Sequence, residues 1–154
     1  MVSDPILTMQ WSHYAAKHTG LCLGFDIPDE HLAPVRYSGQ RLAVEAERLL
    51  HPRDMDEATA LKFLSTKFAH WRYEAEMRAF LSLEDRDPET GLYFAEFSDR
   101  LALQEVIVGA NSAVSRSEPA PALGDVAPNV STLKARLAFK TFNVVRQRKS
   151  ELWP

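Results

Sequence analysis

The sequence predicts an α+β fold: a single domain over residues 1–154, with a twisted, mainly antiparallel sheet and three to four packed helices. Three observations carry this expectation. Apolar residues recur at helical spacing in the stretches 7–17, 41–50 and 54–71. Short alternating or continuous apolar runs, bounded by Pro, Gly, Asn and Asp, fill much of the remainder. A chain of 154 residues has the length of one domain and needs no disulfide or metal staple.

In chain order, Leu7, Trp11, Tyr14 and Ala15 form the apolar stripe of a first helix, which His18-Thr19-Gly20 stops. Leu21, Leu23, Phe25 and Ile27 then alternate with Cys22, Gly24 and Asp26, the period of a strand, and helix and strand are expected to bury Trp11 and Phe25 in one core. Pro28 ends that strand, and Pro34 leaves room for a short extended Val35-Arg36-Tyr37. Arg41 to Leu50 reads as a helix broken by His51-Pro52. Asp54, with Glu57 three residues on, forms a capping box for a helix whose buried stripe is Leu61, Leu64, Phe68 and Trp71. Beyond it, 73–78 reads as extended chain, Arg78 to Leu83 and Leu92 to Phe97 as strands, and Leu101 to Val108 as a central strand covered on both faces. Residues 110–128, rich in Ser, Ala, Pro and Gly, form a long loop or lid; Asn129 to Leu137 reads as a short helix and Ala138 to Arg146 as the last strand.

Composition narrows the function classes. The single cysteine, Cys22, sits between leucines and reads as a small buried hydrophobe; with no disulfide framework and no apolar run of membrane-spanning length, the expectation is a cytoplasmic protein without a membrane partner. No His pair has helical ligand spacing and there is no Cys-x-x-Cys, so no metal is expected. Neither a Gly-x-Ser-x-Gly elbow nor a glycine-rich phosphate loop is present. A net charge of -3 does not mark a nucleic-acid binder. Its distribution is uneven, however: Val126 to Ser150 contains no acid but carries Lys134, Arg136, Lys140, Arg146, Arg148 and Lys149, whereas Glu84 to Asp99 is acidic. This reads as a solvated basic face balanced by an acidic neighbour, with RNA binding the weakest alternative.

Chemistry concentrates in Trp71-Arg72-Tyr73-Glu74-Ala75-Glu76-Met77-Arg78. On extended chain Glu74, Glu76 and Arg78 share one face, where Arg78, Arg72 or Lys67 would compensate two mutually repelling carboxylates. Glu76, Glu74 and Arg78 are therefore the candidate catalytic groups. Tyr14, His18, Tyr73 and Lys67 are the candidate ligand contacts; Tyr14 and His18, four apart on a helix, share a face. The bland reading is an ion-paired strand face, with Tyr14 in the core and His18 closing the helix end.

The run Trp11-Ser12-His13-Tyr14-Ala15-Ala16-Lys17-His18-Thr19-Gly20-Leu21-Cys22-Leu23-Gly24-Phe25, with Lys67, the 71–78 segment and Glu105-Val106-Ile107-Val108-Gly109, resembles a widespread bacterial family of unknown function, some members of which are associated with abortive infection and phage defence. Family members carry a preceding region with an asparagine-aspartate-proline-phenylalanine type motif that has no counterpart before Met9. The resemblance thus implies a shortened relative or the later part of a gene product, whose site would need a partner if that region supplies ligand contacts. A more distant similarity is to the ADP-ribosyltransferase-like group, which implies NAD as substrate, Glu76 as the strand glutamate, Glu74 as the polar residue two positions earlier and Tyr14 as an aromatic contact. That group's early Arg or His strand motif has no clear match. The leading expectation is an enzyme or enzyme remnant acting on a nucleotide-like ligand such as NAD. The alternative is a non-catalytic interaction module that binds a protein partner or a second copy of itself.

Overall fold

The computed structural model describes residues 7–43, 55–81, 83–84 and 86–154, and the architecture is α+β. In chain order the helices and strands are α1 (Leu7–Tyr14), β1 (Leu21–Asp26), β2 (Leu32–Pro34), β3 (Arg36–Ser38), α2 (Glu57–Leu64), β4 (Thr66–Phe68), β5 (Met77–Ala79), β6 (Ala102–Val108), α3 (Pro119–Leu123), β7 (Ser131–Leu137) and β8 (Val144–Arg146). The chain gathers into two compact units, Met1–Ile27 with Glu96–Pro154, and Pro28–Ala95. Among the described residues no helix is long and apolar enough to cross a membrane.

The first unit is built on a four-stranded sheet in the order β1-β6-β7-β8. β6 runs antiparallel to β1 and parallel to β7, and β8 returns antiparallel on β7. Parallel neighbours need a crossover. Here α3 and a 3₁₀ helix over Gly124–Asn129 lie in that connection, so the expected 110–128 loop holds two short helical elements. As the sequence predicts, β6 is central, with Val106 and Val108 buried.

Trp11 and Phe25 do not share a core. Trp11 packs with Ala15, Ala135 and Val144, joined by Cys22 and Ile107, whereas Phe25 joins Leu103, Val106 and Val130. The cause is strand alternation: Cys22 and Phe25 leave β1 on opposite faces, and the β-bulge at Gln104, where Gly24 pairs with Glu105 but Phe25 with Leu103, brings Leu103 to the Phe25 face. Cys22 is therefore the β1 side chain that packs with Trp11, while Leu21 and Leu23 remain half-exposed. Burial, with the nearby Glu105 charge, pushes the Cys22 thiol above its ordinary value, which disfavours a reactive thiolate.

The stretch expected as a helix from Asn129 is strand β7. Leu133, Ala135 and Leu137 alternate with Thr132, Lys134 and Arg136, and the backbone of this stretch pairs with the open edge of β6. The final strand is shorter than expected, because Ala138 to Asn143 is the hairpin connection, closed by the Ala138 N–H donating to the Asn143 carbonyl at 2.9 Å.

In the second unit α2 is capped by Asp56, two residues later than expected. Asp56 accepts from the Thr59 N–H at 2.9 Å and from its hydroxyl at 2.8 Å. The expected cap Asp54, the His51-Pro52 break and most of the expected 41–50 helix lie outside the described residues; 41–43 carry no regular structure. The helix does not continue to Trp71. It stops at Leu64, and Thr66–Phe68 leaves to form β4, parallel to β3 with Tyr37 opposite Lys67. Leu64 and Phe68, expected in a buried stripe, are half-exposed. A 3₁₀ helix over Ala69–Glu74 and a left-handed Ala75 (φ 46°) follow, so 73–78 is not one extended segment. β5 pairs antiparallel with β2 and ends at Ala79, short of the expected Leu83. The expected strand 92–97 is reduced to an isolated bridge, Arg86 to Tyr93.

Candidate functional site

Four of the expected site residues converge in the second unit, by a route the sequence did not show. The turn at Ala75 folds Glu74 and Glu76 around the Lys67 ammonium. Lys67 Nζ donates to Glu74 and, at 3.1 Å, to Glu76, whose other oxygen accepts from Arg78 Nε at 2.7 Å. Arg78 also donates to the Leu64 carbonyl, and the Glu76 N–H donates to the Tyr37 hydroxyl at 2.8 Å. Lys67 sits 5.1 Å from the Trp71 ring centre, and Trp71 lies against Tyr73 with centroids 6.0 Å apart. The Glu74 side chain is only 3% exposed, and among the described residues of this unit Val35 is the one buried apolar side chain. With so little apolar core, the ion-pair network ties β3, β4 and β5 together.

Glu76 is held in its ionised form. The Arg78 hydrogen bond, with help from Lys67 and against a smaller opposing effect of burial, holds Glu76 below its ordinary carboxylate value of 4.5. A group lowered in the folded state stabilises above its unfolded value and loses that contribution as pH falls through the folded one. Glu76→Gln is accordingly expected to destabilise the protein at pH 7, with the gap to wild type closing below about pH 4. Urea unfolding at stepped pH measures this, and a gap that widens on acidification would contradict the ion-pair account.

Tyr14 and His18 belong to the first unit. Tyr14 is 64% exposed and is not in the core. His18 does not close the helix through its carbonyls. Ala16, Lys17 and His18 are all left-handed (φ 46°, 57° and 70°), and each such non-glycine residue costs about 1 kcal/mol. The Asn111 side chain and backbone N–H hold this turn through the Lys17 and His18 carbonyls, at 3.2 and 2.9 Å. The buried His18 ring stacks on Trp11 (6.4 Å, 7° between planes), and its Nε2 meets the Ser12 hydroxyl at 3.1 Å. Its Nδ1 is buried with no hydrogen-bond partner.

The first unit also contains a cationic cavity of about 570 Å³, lined by Arg116, Lys134, Arg146, Arg148, Lys149 and the Trp153 indole. Among the described residues no carboxylate lines it and none pairs with these five cations. One wall is fixed where Trp153 Nε1 donates to the Val114 carbonyl at 3.1 Å and the Arg116 N–H to the Pro154 carbonyl at 2.8 Å. Another is β7, which carries the buried Lys134; its Nζ donates to the Ser112 carbonyl at 2.7 Å, and burial pushes its ammonium below the usual lysine value. The signal for this site was the acid-free stretch from Val126 to Ser150. Arg116 and Trp153 carried no signal of their own, because only the tertiary fold brings them to it. No family model matches the chain, and neither a curated protein nor a solved structure matches it.

Proposed function

We propose that this protein binds a phosphate-bearing, nucleotide-like ligand in the cationic cavity of its first unit. The observation that carries the reading is five cations and an indole around one hollow that no described carboxylate neutralises. Uncompensated like charges repel, and a buried ammonium costs free energy that a bound anion offsets. Guanidinium forks from Arg116, Arg146 and Arg148 match phosphate oxygens in pairs, and Trp153 offers a face for a ring. A volume of about 570 Å³ suits a ligand of nucleotide size. Residence in the cytoplasm belongs to the same proposal, supported by a single cysteine, Cys22, which allows no intrachain disulfide.

The cationic cavity supports ligand binding better than the Glu74/Glu76/Arg78 cluster, the leading candidate in the sequence, because both carboxylates there pair with cations whereas the cations of the cavity have no described counter-charge. Calorimetric titration with pyrophosphate, ADP and NAD is expected to show binding that weakens with salt. In the double variant Arg146→Ala/Arg148→Ala affinity should fall by about tenfold or more, since each charged hydrogen bond contributes roughly 1.5–3 kcal/mol. Wild type that binds none of the three, or a double variant that binds all of them unchanged, would remove the basis for this function.

A further inference from the structure

The β7–β8 hairpin that frames the cationic cavity has a second unusual feature at its closed end. Phe139 and Phe142 in its connection are 93% and 94% exposed, in a chain whose other large apolar side chains are far better covered among the described residues. Lys140 lies between them in sequence, and the Arg136 guanidinium sits 4.8 Å from the centre of the Phe139 ring. The same connection, residues 137–143, together with His18, lines a second, open cavity of about 430 Å³. His18 lines this cavity at the end of a left-handed turn of three non-glycine residues, and its Nδ1 is buried without a hydrogen-bond partner. Strain of this kind persists only where the surrounding structure enforces it, and it concentrates at binding sites. An aromatic pair open to solvent, a cation on one ring and a polar atom without a partner beside them form a setting for a planar, hydrogen-bonding ring.

We infer that the ligand is single-stranded nucleic acid, with phosphates in the cationic cavity and a base at the hairpin tip, stacked on Phe139 and within reach of His18. The inference rests on the cationic cavity being an anion site and extends it along the hairpin. From Lys134 to the end of β7 at Leu137 the strand rises roughly 10 Å at 3.3 Å per residue, and Phe139 lies beyond it in the connection, a spacing for successive nucleotides along one strand. β8 is the outer strand of the sheet, so this edge is open to an extended ligand. Charge agrees along the whole path: Arg136, Lys140, Arg146, Arg148 and Lys149 face no acid within Val126–Ser150. Aromatic side chains interleaved with cations are the arrangement by which single strands are held, each stacked base being sequence-tolerant. An anionic membrane would also meet cations and phenylalanines, but it gives no use to a cavity lined by His18.

Fluorescence anisotropy of the full chain with a labelled single strand of about 12 nucleotides, RNA and DNA, tests this, alongside ADP calorimetry and sedimentation with phosphatidylserine vesicles. The single strand is expected to bind at least about tenfold more tightly than ADP, with affinity falling as salt rises. Phe139→Ala is expected to weaken the oligonucleotide by about tenfold while leaving ADP affinity and the melting curve unchanged, because the ring is almost wholly in solvent. ADP binding with an oligonucleotide no tighter would overturn this inference and leave the cationic cavity standing. Failure of both would remove both. Vesicle capture that depends on Phe139, without oligonucleotide binding, would assign the hairpin to a membrane surface instead.

Discussion

Lys67→Met is expected to destabilise the protein by about 3 kcal/mol, because it removes the ammonium that lies against the buried Glu74 carboxylate. Burying a carboxylate is tolerable only with a counter-charge or hydrogen bonds, and Lys67 serves Glu74 and Glu76 at once. The physical test lies in the combination. Lys67→Met/Glu74→Met deletes both charges and should recover most of the loss, because the desolvation cost disappears with the carboxylate. Urea unfolding of wild type, both single variants and the double variant closes the cycle. Additive losses would show that the contact contributes no coupling and that the second unit is held by something else. Lys67→Met also removes the Glu76 contact, but that loss is common to the single and double variants, so the coupling energy reports the Lys67–Glu74 contact.

An equally large effect is expected at Gly109. An added Cβ would stand 2.7 Å from the Gly20 carbonyl oxygen and closer still to that of His18, and both obstacles are backbone. The Gly109 N–H donates to that same Gly20 carbonyl at 3.0 Å, and the Asn111 N–H to His18 at 2.9 Å, so no side chain can swing aside to make room. Gly109→Ala should cost about 3 kcal/mol and lower the melting temperature by roughly 10 °C. Gly39→Ala is the control, because nothing lies within 4 Å of the added atom; it should stay within about 0.5 kcal/mol of wild type. Equal melting curves for the two variants would mean that the close approach of β6 to the 18–20 turn is not needed. The turn displaced in Gly109→Ala also carries His18, so the same substitution should weaken oligonucleotide binding.

The legible parts of this chain are those whose information is local. Trp11 and Ala15 were recoverable from helical spacing, and Leu101 to Val108 as a central strand, because apolar residues fill both of its faces apart from Gln104 and Glu105. β7 was misread although its alternation from Ser131 to Leu137 is regular, since a single lysine and arginine in a seven-residue window obscure the period. The end of α2 was misread for a different reason. Leu61, Leu64, Phe68 and Trp71 keep helical spacing, yet the pairing of Thr66–Phe68 with β3 supplies backbone hydrogen bonds that local propensity does not register. The convergence of Glu74, Glu76 and Arg78 was expected, but from strand alternation; the 3₁₀ helix and the left-handed Ala75 produce it instead.

What the sequence by itself determined is the α+β class, the positions of α1, β1 and β6, and the crowding of carboxylates and cations between Lys67 and Arg78, all of which follow from short-range periodicity and composition. The tertiary structure alone decided which charges neutralise each other and which do not. Lys67 and Arg78 are consumed by Glu74 and Glu76, whereas Arg116, Lys134, Arg146, Arg148 and Lys149 meet around an empty space that Trp153 helps to wall. Charge compensation depends on distances of a few ångströms between residues far apart in the chain, and those distances are set by strand pairing and packing, to which a window of neighbouring residues is blind.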